Sequence, residues 1–171
     1  CMVDMMNSTK ITSQLSDSQA SEFYKIFLNS VALTVRNFGG IVVKNIGDAL
    51  LFYFPVLHAE KELTIKKCLN CCLTLGESHK DIVKKLNKEG LPSVNFRTSA
   101  TFGIVRIART STSSVNDIFG TTVNRCAKIN RTAPANGLII GEEFYENAKN
   151  LENYNFKKIS SEIVSPEHGF V

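Results

Sequence analysis

The sequence predicts an α+β fold: a ferredoxin-like βαββαβ core with a C-terminal extension, in which helices cover an antiparallel-rich sheet. Two long segments carry apolar residues at helical spacing, and short β-branched runs flank them in the order that this motif requires. The 171 residues are 43% apolar and 21% charged, which is typical of a folded domain. We therefore expect a single domain over residues 1–171, whose first strand begins before Cys1.

The elements of the first half follow from apolar periodicity and turn residues. In the first helix, apolar residues recur every three or four positions from Phe23 to Val35. Gly39 and Gly40 stop that helix, as glycine beyond a last turn commonly does. The predicted elements are the end of a strand at 1–3, a polar turn at 7–9, a helix over 18–37, a hairpin of strands 41–43 and 49–54 around a turn at 45–48, and a long helix over 58–88.

The elements of the second half are shorter. Runs rich in Thr, Val and Ile predict strands, and Pro134 with Gly137 closes the helix between two of them. The predicted elements are a strand over 96–107, a strand over 115–119, a helix over 122–131, a strand over 138–140, a short helix over 142–149 and a last strand over 154–159.

Composition and charge argue against several functional classes. The longest apolar run, residues 49–57, is nine residues long and is interrupted by a proline. A helix needs about 20 residues to cross a bilayer, so we expect no membrane insertion. Twenty basic and sixteen acidic residues are interspersed, which argues against a nucleic-acid partner. The five cysteines are an odd number, unlike a secreted disulfide framework. We expect a cytoplasmic location.

Three cysteines, Cys68, Cys71 and Cys72, lie in one helical segment. A CxxC pair is half of a zinc site, but the sequence contains no second CxxC or HxxxH half. Cys68 and Cys72 are four residues apart and fall on the apolar side of the helix with Ile65 and Leu69. Because free cysteine is a good small core residue, core packing is the favoured interpretation.

Two aspartates lie at predicted turns. Asp4 ends an apolar strand, and Asp48 follows Gly47 in the hairpin turn. Carboxylates at strand ends and hairpin tips can converge above one sheet edge and hold Mg²⁺ ions through their oxygens. An aspartate in a turn can also simply satisfy local backbone N–H groups. Spacing alone leaves both interpretations open.

The residues around these aspartates resemble the catalytic domains of class III nucleotidyl cyclases. Residues 43–50, VKNIGDAL, resemble the family's Lys-x-x-Gly-Asp hairpin, and residues 117–124, DIFGTTVN, resemble its Gly-x-x-Val-Asn signature with the upstream Asp. Residues 4–9, DMMNST, match the Asp-Ile-x-Gly-Phe-Thr opening at its first and last positions. The separation of 44 residues between the two aspartates agrees with the family's metal-binding pair. The resemblance runs from about residue 1 to residue 143.

The resemblance implies a class III cyclase fold and an adenylyl cyclase that converts ATP to 3′,5′-cyclic AMP and pyrophosphate. By that resemblance Asp4 and Asp48 hold two Mg²⁺ or Mn²⁺ ions, assisted by the carbonyl of Met5. Lys44 and Asp117 match the positions that read the purine, where this pair selects adenine. An ammonium donor suits the adenine N1 acceptor, and a carboxylate accepts from the N6 amino group.

The same resemblance assigns roles to two further segments. Asn124 matches the side chain that orients the ribose, and Lys128 occupies a catalytic position where the family has arginine. Asn7, Ser8 and Thr9 match the turn that cradles the phosphates. The resemblance also implies a head-to-tail homodimer. In that dimer one protomer supplies Asp4 and Asp48, and its partner supplies Lys44, Asp117, Asn124 and Lys128.

Several residues depart from the family pattern. Asn7 replaces the loop glycine, Ser8 replaces a phenylalanine, and Lys128 replaces the arginine. Lys157 and Lys158 lie near the C-terminus, but nothing in the sequence assigns either one to the phosphates. These departures leave an alternative open: a catalytically weak or inactive cyclase-like domain that binds nucleotide or dimerises and regulates fused domains outside this sequence.

Overall fold

The computed structural model describes residues 1–109, 116–159 and 169–170. The helices are α1 (Ser8–Thr12), α2 (Asp17–Asn37), α3 (Lys61–Glu77), α4 (His79–Lys88), α5 (Thr121–Asn130) and α6 (Glu142–Ala148), with a 3-10 turn at His58–Glu60. The strands are β1 (Met2–Met5), β2 (Ile41–Ile46), β3 (Ala49–Tyr53), β4 (Phe96–Ala100), β5 (Arg106–Arg109), β6 (Asn116–Phe119), β7 (Leu138–Gly141), β8 (Lys158–Ile159) and β9 (Gly169–Phe170).

A seven-stranded sheet in the order β2-β3-β1-β4-β7-β9-β8 forms the centre of the fold. The four strands β2, β3, β1 and β4 pair antiparallel, with α2 connecting β1 to β2 and α3 and α4 connecting β3 to β4. This arrangement confirms the predicted ferredoxin-like core. Strand β7 extends the sheet parallel to β4, β9 and β8 follow antiparallel, and β5 and β6 form a separate two-stranded sheet.

The two faces of the sheet are covered by different elements. On one face, α2, α3 and α4 bury the main core, in which the rings of Phe27 and Phe96 meet edge to face at a centroid distance of 5.4 Å. On the other face, Met2 and Leu51 pack against Ile118 of β6 and Cys126 of α5. Because side chains alternate along a strand, Asp4 lies on the same face as Met2.

The β2–β3 hairpin has a tighter turn than the sequence predicted. Ile46 pairs directly with Ala49, so Gly47 and Asp48 alone form the turn, and residues 45 and 46 belong to β2. Gly47 has a φ of 62°, and a glycine with positive φ at the first central position is typical of a type II′ turn. Asp48 is thereby fixed at the tip, one residue before β3 begins.

A β-bulge lies in β2 between Val42 and Lys44. Val42 pairs with Phe52 on the core face, but the next paired residue is Lys44, opposite Leu51. The extra residue, Val43, packs with the Met2 and Leu51 cluster on the other face. In a regular strand without the bulge, Lys44 would be two residues after Val42 and would point to the core face. The bulge therefore directs Lys44 to the face that carries Asp4.

The single long helix predicted over 58–88 is wrong in detail. The chain forms the 3-10 turn first, then α3, and a break at Ser78 separates α3 from α4. The Ser78 hydroxyl donates a 2.7 Å hydrogen bond to the carbonyl of Leu75. A serine that bonds back to the preceding turn competes with the helical backbone and bends the helix.

The continuous strand predicted over 96–107 is also wrong. After Ala100 the chain leaves the sheet, and the Thr101 hydroxyl donates a 3.1 Å hydrogen bond to the carbonyl of Thr122 in α5. Arg106–Arg109 then pairs with β6 away from the main sheet. Periodicity does not show a change of pairing partner, because both halves of the segment are β-formers.

Two shorter predictions also need correction. The polar turn predicted at 7–9 is the beginning of α1, and only residues 158–159 of the strand predicted over 154–159 form β8. The helices over 17–37, 121–130 and 142–148 agree with prediction within a residue or so. Val115, predicted to begin β6, lies outside the described residues. Within the described residues, each helix is too short or too polar to cross a membrane.

The aromatic contact in the main core gives a stability prediction. Phe27→Ala removes a fully buried ring and should lower the free energy of unfolding by about 3–5 kcal/mol. Leu33→Ala on the exposed side of α2, where Leu33 is 58% exposed, should change it by less than about 0.5 kcal/mol. Urea denaturation followed by circular dichroism measures both, and equal effects would contradict this assignment of the core.

Candidate active site

Strand pairing brings Asp4 and Asp48 together. Asp4 of β1 pairs with Ala49 of β3, and Asp48 is the residue immediately before Ala49 in the turn. On the other side of β1, Asp4 pairs with Arg97 of β4, and the guanidinium of Arg97 lies 3.8 Å from the Asp4 carboxylate. The two predicted metal ligands are thus neighbours at one end of the sheet.

The charge balance at this pair favours a bound cation. Burial raises the pKa of Asp4, and the nearby charge of Asp48 raises it further, while Arg97 and Arg131 partly oppose the shift. Two neighbouring carboxylates, one of which has a raised pKa, match the oxygen ligands that Mg²⁺ and Mn²⁺ prefer. The residues present therefore fit a divalent-ion site, although the identity of the ligands stays a prediction.

The turn after β1 contributes a hydroxyl group that sequence reasoning assigned differently. Ser8, predicted at the phosphates, is buried and donates a 2.5 Å hydrogen bond to the Asp48 carboxylate. Asn7 and Thr9 are exposed, and Asn7 has a φ of 58°. The side chain of Met5 lies in the core, so only its backbone carbonyl remains for the predicted metal contact.

Lys44 and Asp117, predicted to read the base, form an ion pair across β2 and β6. The second oxygen of Asp117 accepts a 2.8 Å hydrogen bond from the backbone N–H of Ile118. The hydrogen bond from Lys44, with that of Ile118, holds the pKa of Asp117 below its usual value. The two side chains therefore present a charged donor and a charged acceptor side by side.

Helix α5 carries the two predicted catalytic residues on its surface. Asn124 and Lys128 are both exposed, one helical turn apart. The residue of this region that acts on Asp4 electrostatically is Arg131, at the end of the helix. The predicted catalytic pair thus faces outward, as a contribution to a partner's site would require.

A buried asparagine fixes α5 on the sheet. The Asn130 side-chain amide donates to the carbonyls of Met2 and Arg97, each at 3.3 Å, and to the Ser99 hydroxyl at 3.1 Å. Ser99 in turn donates a 2.9 Å hydrogen bond to the carbonyl of Cys126. Removing one partner from such a buried network leaves the other groups unsatisfied, so the network holds α5 in register with β1.

Three residues of the site were missed by sequence reasoning or given another role: Ser8, Arg97 and Asn130. Arg97 is opposite Asp4 and also donates a 2.8 Å hydrogen bond to the carbonyl of Arg131. Each acts through a partner more than 25 residues away in sequence. The signal that could have identified Arg97 is the β1–β4 register, which the sequence does not specify.

The family described as the adenylate and guanylate cyclase catalytic domain has a model that matches residues 1–168. The chain belongs to this family. A cytidylate cyclase of Staphylococcus aureus is 26% identical over 146 residues, and an adenylate cyclase of Streptomyces coelicolor is 24% identical over 143 residues. These matches cover 82% and 84% of this chain but 34% and 32% of the relatives, so the chain spans about a third of their length.

A solved cyclase structure has the same fold. The adenylyl cyclase CyaB from P. aeruginosa superposes with a TM-score of 0.83 at 16% identity, covering 99% of this chain and 89% of that one. The cyclase-like α+β fold expected from the sequence is therefore confirmed. At this identity the superposition speaks for the fold alone.

The metal site gives a second prediction, based on Asp4→Asn. Folding raises the pKa of Asp4, so the ionised carboxylate opposes folding at neutral pH when no divalent ion is present. Without divalent ions at pH 7, the variant should melt at a temperature no lower than the wild type. As pH falls through the raised pKa of Asp4, the wild type should gain stability relative to the variant, because protonation removes the unfavourable charge.

Mn²⁺ should stabilise the wild type but not Asp4→Asn, by about 2.7 kcal/mol at a concentration of 100 times its dissociation constant. Asp81→Asn, an exposed carboxylate on α4, is the matched control and should respond to Mn²⁺ as the wild type does. Differential scanning fluorimetry measures all three proteins, and an equal Mn²⁺ shift in Asp4→Asn would remove Asp4 from the metal site.

Proposed function

We propose that this domain is an adenylyl cyclase that converts ATP to 3′,5′-cyclic AMP and pyrophosphate in a head-to-tail homodimer. The observation that carries the proposal is the Lys44–Asp117 ion pair on the sheet face that also carries Asp4. It supports the proposal because the pair predicted to read the base and the carboxylate predicted to bind metal share one face, so a symmetric dimer on that face can join each to its counterpart on the second copy. We also propose that residues 1–171 form a single domain and that it is cytoplasmic, in keeping with five free cysteines.

In this mechanism Lys44 donates to N1 of adenine and Asp117 accepts from the N6 amino group. Asn124 of the same protomer as Lys44 and Asp117 orients the ribose so that its 3′-hydroxyl faces the α-phosphate, and the ammonium of Lys128 on that protomer neutralises phosphate charge. The carboxylates come from the other protomer. Asp4 and Asp48, with the Met5 carbonyl, would hold two Mg²⁺ or Mn²⁺ ions. Such ions make the 3′-hydroxyl more acidic and neutralise the leaving pyrophosphate.

Three exposed apolar residues support the proposed dimer. Ile104, Ile107 and Phe119 are 88%, 51% and 42% exposed on β5, β6 and the loop before them. Ile107 is opposite Ile118 and Phe119 is opposite Arg106, so Ile107 and Phe119 lie on opposite faces of this two-stranded sheet and are separate candidate contacts for a second copy. They lie on the elements that flank Asp117 and α5. A second copy docked on these elements would bring its carboxylates, Asp4 and Asp48, to the exposed Asn124 and Lys128 of the first copy.

CTP is a second candidate substrate. Cytosine presents an acceptor, N3, beside an amino donor, N4, which is the same pattern that adenine presents at N1 and N6. The Lys44–Asp117 pair therefore suits both amino bases and disfavours guanine and uracil, whose patterns are reversed. One relative of this chain is a cytidylate cyclase. Ring size, rather than hydrogen bonding, would decide between the two substrates.

The test is to incubate the purified domain with ATP, CTP, GTP or UTP and either Mg²⁺ or Mn²⁺. Cyclic products are identified by liquid chromatography and mass spectrometry. Cyclic AMP as the main product supports the proposal, and cyclic CMP as the main product selects the second candidate. Preference for GTP or UTP would contradict the roles of Lys44 and Asp117. No product from any nucleotide would favour the alternative of a non-catalytic regulatory module.

A third prediction reverses the hydrogen-bonding pattern of the two residues proposed to recognise the base. Lys44→Glu with Asp117→Cys should lower ATP turnover by on the order of 10²-fold or more and make GTP the better substrate, because a site built for polar pairing rejects the mismatched base strongly. Either single variant should lower turnover with both nucleotides. Steady-state kinetics with ATP and GTP measure the shift, and an unchanged ratio of kcat/KM values would remove both residues from base selection.

A fourth prediction concerns the dimer. Ile104→Lys should weaken self-association and lower turnover by at least about tenfold, because a buried unpaired charge is unfavourable in an interface. Leu33→Lys on α2, a similarly exposed leucine, is the control and should leave both unchanged. Sedimentation velocity and an activity titration against protein concentration test this. Normal dimerisation of Ile104→Lys would place the interface elsewhere.

A further inference from the structure

Three thiol groups meet where the first strand packs on α3. The sulfurs of Cys1 and Cys68 are 3.4 Å apart. The Cys72 sulfur joins them, and all three lie within 4.8 Å of one another. Cys1 is 67 residues from Cys68 in the chain. It brings a third thiol from a distant segment to the pair on α3.

Secondary structure fixes the positions of these thiols. Cys68 and Cys72 are four residues apart on the buried side of α3. Cys1 precedes β1 by one residue, and its side chain packs with Val3 and Met5 on the core face. Two hydrogen bonds between the backbones of Cys1 and Phe52, of 2.8 and 3.1 Å, hold it there. Ordered elements on both sides therefore preorganise the cluster.

We propose that Cys1, Cys68 and Cys72 bind one Zn²⁺ ion. Tetrahedral zinc with Zn–S bonds of ~2.3 Å places its sulfurs about 3.8 Å apart. That separation falls between the 3.4 Å of the closest pair and the 4.8 Å that encloses all three thiols. Binding therefore requires only small side-chain adjustments.

Charge favours a divalent ion over a monovalent soft ion. Three thiolates with Zn²⁺ leave one net negative charge, whereas three thiolates with Cu(I) leave two, and uncompensated charge is costly in a buried site. Cys1 and Cys68 line a cavity of about 530 Å³ that Lys61 also lines. A water molecule from that cavity would complete the tetrahedron.

The three buried thiols of α3 differ in acidity. A hydrogen bond from Cys72 lowers the pKa of Cys68, while the same bond and burial raise the pKa of Cys72. Burial raises the pKa of Cys71 to about 12, and Cys71 lies outside the cluster. Coordination releases the thiol protons of the three ligands to solvent.

The zinc site is independent of the proposed catalytic function. It lies on the core face of β1, and Asp4 lies on the opposite face. A bound ion would join β1 to α3 and so stabilise the strand that carries Asp4. Its role is structural, and its presence does not depend on which nucleotide the domain uses.

The experiment titrates the reduced, metal-free chain with Zn²⁺ and, as a spectroscopic probe, with Co²⁺. Native mass spectrometry should show one ion per chain, and Co²⁺ should give the visible absorption of a tetrahedral thiolate site. Cys68→Ala and Cys72→Ala should weaken binding by at least tenfold. Cys71→Ala is the matched control, an equally buried cysteine on the same helix, and should bind as the wild type does.

Cys1 lies outside α3 and is only half-buried, so Cys1→Ala should preserve the helix. This variant should lose the ion while its circular dichroism spectrum stays unchanged. Three results would overturn the proposal: the absence of stoichiometric Zn²⁺ binding, equal binding by Cys1→Ala and the wild type, or an octahedral Co²⁺ spectrum. Formation of a Cys1–Cys68 disulfide together with failure of the reduced chain to take up Zn²⁺ would also overturn it and identify a redox pair instead.

Discussion

The pairing of β1 with β3 imposes the constraint on which the rest of the site depends. It holds two carboxylates of like charge side by side, because Asp4 is opposite Ala49 and Asp48 is the residue before it. A slip of one residue would turn Asp4 toward the helix-covered core. Burial raises the pKa of Asp4, and the nearby charge of Asp48 raises it further. A cation bound at the end of β1 would offset both effects, which is consistent with the proposed metal site.

The nearby arginines do not fully neutralise the two carboxylates. Arg97 is 3.8 Å from Asp4, and both side chains are partly exposed, so their attraction is worth about 1 kcal/mol or less. The same guanidinium is also held by the carbonyl of Arg131. Arg97 therefore orients Asp4 without occupying all of its oxygens. Ser8 acts similarly on Asp48, donating one hydrogen bond and leaving the other carboxylate oxygen for a further ligand.

Local sequence patterns predicted much of this arrangement, and long-range pairing accounts for what they missed. The hairpin, the helices and the ferredoxin-like strand order follow from periodicity and turn residues, and so does the position of Asp48 beside Gly47. The bulge at Val43, the Asn130 network and the approach of Cys1 to Cys68 depend on contacts between distant segments. Periodicity carries no information about such contacts. The catalytic and binding roles of the site residues stay predictions from the family resemblance.

The departures from the family pattern do not all weaken the catalytic proposal equally. Asn7 occupies a left-handed conformation, with a φ of 58°, and asparagine tolerates that region better than other residues with a side chain. The turn that a glycine would form is therefore retained. Lys128 keeps the charge of the expected arginine but lacks its planar fork, which can hold two phosphate oxygens at once. In the proposed reaction Asn7 would therefore be tolerated after Asp4, and the side chains on α5 would be the point at which the domain loses catalytic rate.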